Sequence, residues 1–342
     1  MMLLRAARRT PRCGGRTLRH FAVIAVVIAL GLLALSALAA ISPGELASAL
    51  MAGRWEWVLL SAVLYGLAHV LSALVWREGL GAAGLGALPL ASVMRAHWLG
   101  RGASELLPAQ LGEAARLAAM RGQAETEGRM WRVVGSVGAF KLVDGGTSLI
   151  AAAAVLLLFA GPLGVNPSLI GMGLAVAVVL GFLAPAVWAR RASLAAIVPR
   201  RVRGAGADLV GGARILACRR HLAPALGIQS FATLMRVGSL AALLVAYGGP
   251  AHAAPVVFAL LVVTGLLPIS PGGVGVREVA LLPVLVGSFG LDLPTALAFS
   301  VATQATALAV SLLGAGIALL AGVPRASVPA PTPAPAPTPT GL

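Results

Sequence analysis

Phe21–Ile41, Trp57–Trp76, Ser168–Trp188 and Pro294–Leu320 of this 342-residue chain each run for twenty residues or more without a formally charged side chain. At 1.5 Å per residue, each is long enough as a helix to cross the ~30 Å hydrocarbon core of a bilayer. Their apolar residues are continuous and do not alternate with polar ones, which excludes a transmembrane β-barrel. Two further runs, Val133–Ala160 and Ala223–Tyr247, have similar length but carry Lys141 and Asp144 in one and Gln229 and Arg236 in the other. Only 11% of the residues are charged and the mean hydropathy is +0.94, against about 25% charged in an ordinary soluble domain. The chain reads as an all-α polytopic membrane protein with about six full spans.

The net charge of +15 comes from 25 arginines and one lysine against 11 acids. Nucleic-acid binding is not the reading this supports, because the arginines cluster between apolar runs. Six lie in Met1–His20 and eight in Arg190–Arg220, whereas the predicted outer turns hold one, Arg54. Cytoplasmic loops collect such residues and face anionic lipid. The expected location is therefore a bacterial or archaeal cytoplasmic (inner) membrane, with both termini inside. Ala37-Leu38-Ala39 resembles a signal-peptidase site, but the apolar run before it exceeds the usual ~7–15 residues of a signal peptide; Phe21–Ile41 is read as a first span. Residues 1–20 form a basic cytoplasmic segment, 21–322 the membrane domain, and 323–342 a Pro/Ala/Thr-rich tail expected to be disordered. Cys13 and Cys218 have no partner at metal or redox spacing.

Two segments do not fit a plain span. Gly79–Met120 holds Arg95, Arg101 and Glu105 within eleven residues. At mid-membrane each charge costs about 2.5–3.5 kcal/mol, and each leucine offsets only about 0.3–0.6 kcal/mol. In the second, Pro255–Ile269 and Val279–Gly290 are both too short to span. Each segment is read as a re-entrant hairpin, the first opened from the cytoplasm and the second from outside; a segment lying on the membrane surface is the alternative for the first, and one long kinked span for the second. Half one (21–162) and half two (168–322) then form an inverted repeat, which brings broken segments together near the midplane.

The hairpins carry matching polar motifs. Leu106-Leu107-Pro108 precedes Gly112, Glu113 and Arg116; Leu266-Leu267-Pro268 precedes Pro271, Gly272, Gly273, Gly275, Arg277 and Glu278. Proline breaks the helical ladder and glycine admits close approach. Freed helix N-termini favour anions. Arg116, Arg236 and Arg277 are the candidate head-group ligands, since a guanidinium matches a phosphate with a planar fork of donors. Glu113, Lys141, Asp144 and Glu278 are candidates for charge balance or coupling. The plainer alternatives are an intrahelical Glu113–Arg116 pair, a Lys141–Asp144 bridge, a packed His69, and interhelical hydrogen bonds from Gln229 and Gln304. No Gly-x-Ser-x-Gly, HExxH or P-loop pattern is present.

Leu-Pro-x-x-x-Gly-Glu-x-x-Arg (Leu107–Arg116), Lys141-x-x-Asp144 and Pro-x-Ser-Pro-Gly-Gly-x-Gly-x-x-Glu (Pro268–Glu278) resemble the lysylphosphatidylglycerol synthase transmembrane region family. The resemblance covers roughly residues 20–320. It implies a flippase-type membrane domain, with Pro108, Gly112, Glu113, Arg116, Asp144, Pro271, Gly272, Gly273, Gly275 and Glu278 as its functional core. Lys141 stands where the family suggests arginine, and Glu105-Leu106 where asparagine commonly precedes Leu-Pro. A soluble aminoacyl-transferase domain is not expected, since 22 residues follow Leu320. The expected function is movement of a lipid with an anionic head group between leaflets. The alternative is a membrane-embedded lipid-modifying enzyme or an accessory subunit of a lipid or glycolipid pathway. Expected partners are a membrane lipid and lipid-biosynthesis enzymes; no cofactor, metal or nucleic acid is implied.

Overall fold

A computed structural model describes residues 42–107, 109–121, 123–159, 200–265 and 276–322. The described residues form ten α-helices joined by turns and short 3₁₀ segments, with no strand among them. Four are long and apolar enough to cross a membrane: α2 (Trp55–Ala82), α5 (Met130–Leu158), α7 (Arg219–Ala246) and α10 (Leu293–Leu320). They correspond to four of the expected spans, within four residues at each end except that α2 runs six residues past the expected Trp76. The spans at Phe21–Ile41 and Ser168–Trp188, residues 1–20 and the tail 323–342 lie outside the described residues, as do Pro108, Pro271, Gly272, Gly273 and Gly275.

The chain is an all-α polytopic membrane protein, and its solvation pattern is that of one. On α2, Leu59, Val63 and Leu67 recur every four residues and are exposed, while Ser61, His69 and Ser72 on the opposite face are buried. The outer stripe would be a liability in water and is at home against lipid tails.

Both problem segments are pairs of short helices. Gly79–Met120 contains the end of α2, then α3 (Leu90–Leu106) and α4 (Ala109–Met120), which pack on each other. Two glycines set that distance. A Cβ at Gly112 would overlap Ser104 Oγ, and one at Gly100 would meet Arg116 Cβ at 2.8 Å. The second segment contains α8 (Ala254–Gly265) and α9 (Val276–Gly287), each 12 residues. One expectation shifts here: the predicted outer turn around residues 42–54 contains a helix, α1 (Pro43–Met51). Ser42 and Glu45 form a reciprocal capping box with Pro43 at the first position, so three residues suffice to start it.

Helix contacts cross between the two halves. α2 and α7 run antiparallel: Arg54 Nη2 donates to the Val245 carbonyl at 3.2 Å, the Ser61 and Ser239 hydroxyls lie 2.9 Å apart, and Glu78 meets His221 Nδ1 at 3.0 Å. The last long helix of each half packs on the first helix of the other half's short pair, α10 on α3 and α5 on α8. At the α3–α10 contact, a Cβ at Gly102 would meet Ala315 Cβ at 2.6 Å, and one at Gly314 would overlap the Trp98 ring. Arg95 Nε donates to the Ala318 carbonyl at 3.1 Å, placing a cation at the negative end of α10. α6 (Arg200–Gly212) lies on α5, with Arg132 Nε donating to Asp208 at 2.8 Å.

Candidate functional site

The long helices carry polar side chains at helical spacing on faces turned inward. Ser61, Tyr65, His69 and Ser72 stand on α2, His97 and Arg101 on α3, Lys141, Asp144 and Ser148 on α5, and Arg236 and Ser239 on α7. With Arg116 from α4 and Arg277 from α9 they line a cavity of about 260 Å³. Phe140, Leu243, Phe258 and Leu261 supply apolar wall. The two candidate motifs, 160 residues apart in sequence, thus contribute to one chamber.

Arg116 is the most enclosed of its cations, at 3% exposure. Its guanidinium carbon stands 5.4 Å from the Trp76 ring and 5.2 Å from the Phe140 ring. Aromatic faces suit a weakly hydrated guanidinium. Trp76 is fixed in turn, its indole N–H donating to Ser136 Oγ at 3.1 Å. Arg116 Nη1 lies 3.0 Å from Glu113 Oε2, one turn earlier. That contact carries charge but is not aligned as a hydrogen bond, so Nε and Nη1 both remain unspent. The other Glu113 oxygen lies 2.6 Å from Lys141 Nζ. Glu113 therefore joins α4 to α5.

Lys141 and Asp144 do not bridge each other as the sequence allowed. Lys141 turns to Glu113, and Asp144 Oδ1 accepts from Arg236 Nη1 at 2.8 Å and Gln229 Nε2 at 2.5 Å. A lysine chain is long enough to leave the face it shares with Asp144. Lys141 on α5 and Arg236 on α7 thus find separate acids, Glu113 on α4 and Asp144 on α5. Arg236 Nη2 also donates to Ser72 Oγ at 3.0 Å, so this guanidinium ties α7 to α5 and α2. Arg277, the second residue of α9, keeps an unpartnered Nε. Glu278 is buried and accepts from Gln304 and Ser300 on α10. Gln229 and Gln304 are thus both interhelical.

Three cavity residues carry no weight in the motif reading: Tyr65, His97 and Arg101. Arg101 donates to Tyr65 Oη at 2.7 Å and pairs with Glu105, one turn on, while its Nε is unspent. His69 and His97 are buried with ring centroids 5.8 Å apart, and neither ring nitrogen of either has a partner. The available signal was periodicity: these residues fall on the same helical stripes as the serines and charges.

Chemically, the chamber offers guanidinium donors from four helices. Among the described lining residues Asp144 is the one carboxylate, and it is already engaged. No group of three His, Cys, Asp or Glu side chains suited to a metal occurs among the described residues.

A family model described as the lysylphosphatidylglycerol synthase TM region matches residues 22–314. No curated protein matches the chain.

Proposed function

Because the chain belongs to the lysylphosphatidylglycerol synthase TM region family, whose model spans most of its length, we propose that it moves a lipid with an anionic head group between membrane leaflets. The observation that carries this reading is the shared chamber: Arg116 from the first short-helix pair and Arg277 from the second both line it with donors unspent. A phosphate accepts from such donors, and the buried Arg116 guanidinium has already left water. The N-terminus of α9 adjoins the chamber at Arg277 and adds partial positive charge. At about 260 Å³ the space suits a head group, with acyl chains left in lipid.

In this reading α3–α4 and α8–α9 are re-entrant pairs inserted from opposite leaflets, and the two halves form an inverted repeat. The antiparallel α2–α7 pair and the crossed contacts of α10 with α3 and α5 with α8 support it. Alternating exposure of the chamber to each face would carry the head group across. The setting is a cytoplasmic membrane with arginine-rich loops inside, and enzymes of lipid biosynthesis are the natural partners. The enzyme alternative has less support, because Asp144 is held by two donors and no second described carboxylate lines the chamber to share acid–base work.

The test is leaflet exchange of tail-labelled anionic lipid in vesicles containing the purified protein. Exchange should be accelerated, and Arg116→Gln with Arg277→Gln should abolish the acceleration while the protein stays folded. Wild-type vesicles no faster than empty ones for every anionic lipid tried would refute the reading.

A further inference from the structure

We infer that His69 and His97 form a hydroxyl-binding subsite, which takes the diol of a glycerol or sugar unit carried on the head-group phosphate. The inference rests on the lipid-transport reading above and assigns the part of the chamber that arginines do not explain. The two imidazoles are 5% and 2% exposed, and all four of their ring nitrogens lack a partner. Buried polar atoms are nearly always paired, and leaving one unpaired is costly. Here four stand unsatisfied in one place, and both rings line the cavity.

The chemistry of the two subsites differs. Guanidinium groups only donate, which suits phosphate oxygens that only accept. A neutral imidazole offers one donor and one acceptor. Its acceptor nitrogen has nothing to gain from a fully ionised phosphate, but a hydroxyl both donates and accepts. Nearby hydroxyls are occupied: Ser61 with Ser239, and Ser72 between Arg236 and the Ala68 carbonyl. Asp144 is spent on Gln229 and Arg236. The surroundings are those of a polyol site, because Tyr65 stands edge-on to His69 at 4.7 Å and Phe140 edge-on to His97 at 6.0 Å. Such walls take the C–H surface of a glycerol or sugar while the imidazoles take its oxygens. Phe140 is also the ring beneath Arg116. Phosphate and diol subsites therefore share a wall, as a compact phosphodiester head group needs.

The experiment uses the full chain in phosphatidylcholine vesicles with tail-labelled phosphatidylglycerol, phosphatidylinositol or phosphatidic acid, and compares leaflet-exchange rates. The wild type should favour a diol lipid over phosphatidic acid by about tenfold, the worth of one or two neutral hydrogen bonds. His69→Phe with His97→Phe keeps ring bulk and should bring that ratio close to one. His97→Gln, which retains a donor and an acceptor, should keep an intermediate ratio and guards against a folding artefact. Equal rates for phosphatidylglycerol and phosphatidylinositol support recognition of the diol alone; a preference for inositol supports a sugar-type occupant. A ratio unchanged in the double Phe variant overturns the subsite, as does tight zinc binding by the wild type that both His substitutions remove. Failure of the transport reading looks different: no lipid, phosphatidic acid included, is moved by the wild type.

Discussion

Lys141 and Asp144 sit three residues apart on one face of α5 yet serve different neighbours. Lys141 Nζ lies 2.6 Å from Glu113 on α4, and Asp144 Oδ1 receives Arg236 Nη1 from α7 at 2.8 Å. One helical turn thereby joins the first short-helix pair to the second half of the chain. The charges at and beside the chamber form two linked sets, Arg116–Glu113–Lys141 and Asp144–Arg236, although in sequence they are scattered over about 120 residues.

Asp144→Asn should lower stability by about 1.5–3 kcal/mol, because Arg236 loses a charged hydrogen-bond acceptor inside the membrane domain. Combining it with Arg236→Met should cost less than the two single changes added together. Thermal unfolding of the four proteins in one detergent gives the coupling directly.

Glu113→Gln removes the charge that Arg116 and Lys141 share. Two cations then face each other across α4 and α5 without compensation. The expected result is at least a tenfold fall in leaflet exchange, with a smaller loss in the double variant Glu113→Gln, Lys141→Met. Proteoliposome rates at matched protein density decide it.

Gly112→Ala should destabilise by about 1–3 kcal/mol through overpacking. The added methyl would overlap Ser104 Oγ and stand 2.8 Å from the Gly100 carbonyl. Ser104→Ala should therefore rescue only part of the loss, since the carbonyl remains. Melting temperatures of both variants test the order.

Asp292 caps α10, accepting from the Thr295 N–H at 3.0 Å, and that bond holds its carboxyl below the usual carboxylate range. A lowered folded-state value contributes stability above the unfolded value, and the contribution is lost as pH falls through the folded one. Asp292→Ala should thus lower the melting temperature most at neutral pH. The gap to wild type should close in acid below the ordinary carboxylate range.

The all-α membrane fold was legible because lipid imposes a simple rule: runs of about twenty apolar residues must become helices. The charge cost in Gly79–Met120 likewise foretold something other than a span, and α3 and α4 are that departure. Partner choice was not legible. Spacing put Lys141 near Asp144, but only the approach of α4 and α7 decides which acid each cation meets. Tyr65, His97 and Arg101 were missed because single polar residues in an apolar helix look like packing exceptions. Read as stripes across α2, α3, α5 and α7, they would have drawn the chamber's outline.

Trp98 lying across Gly314, with Gly102 against Ala315, locks α3 and α10 together at close range. Neither helix has clearance to slide along the other. In the transport reading, widening the chamber would carry both helices together, and the seam that opens would lie elsewhere.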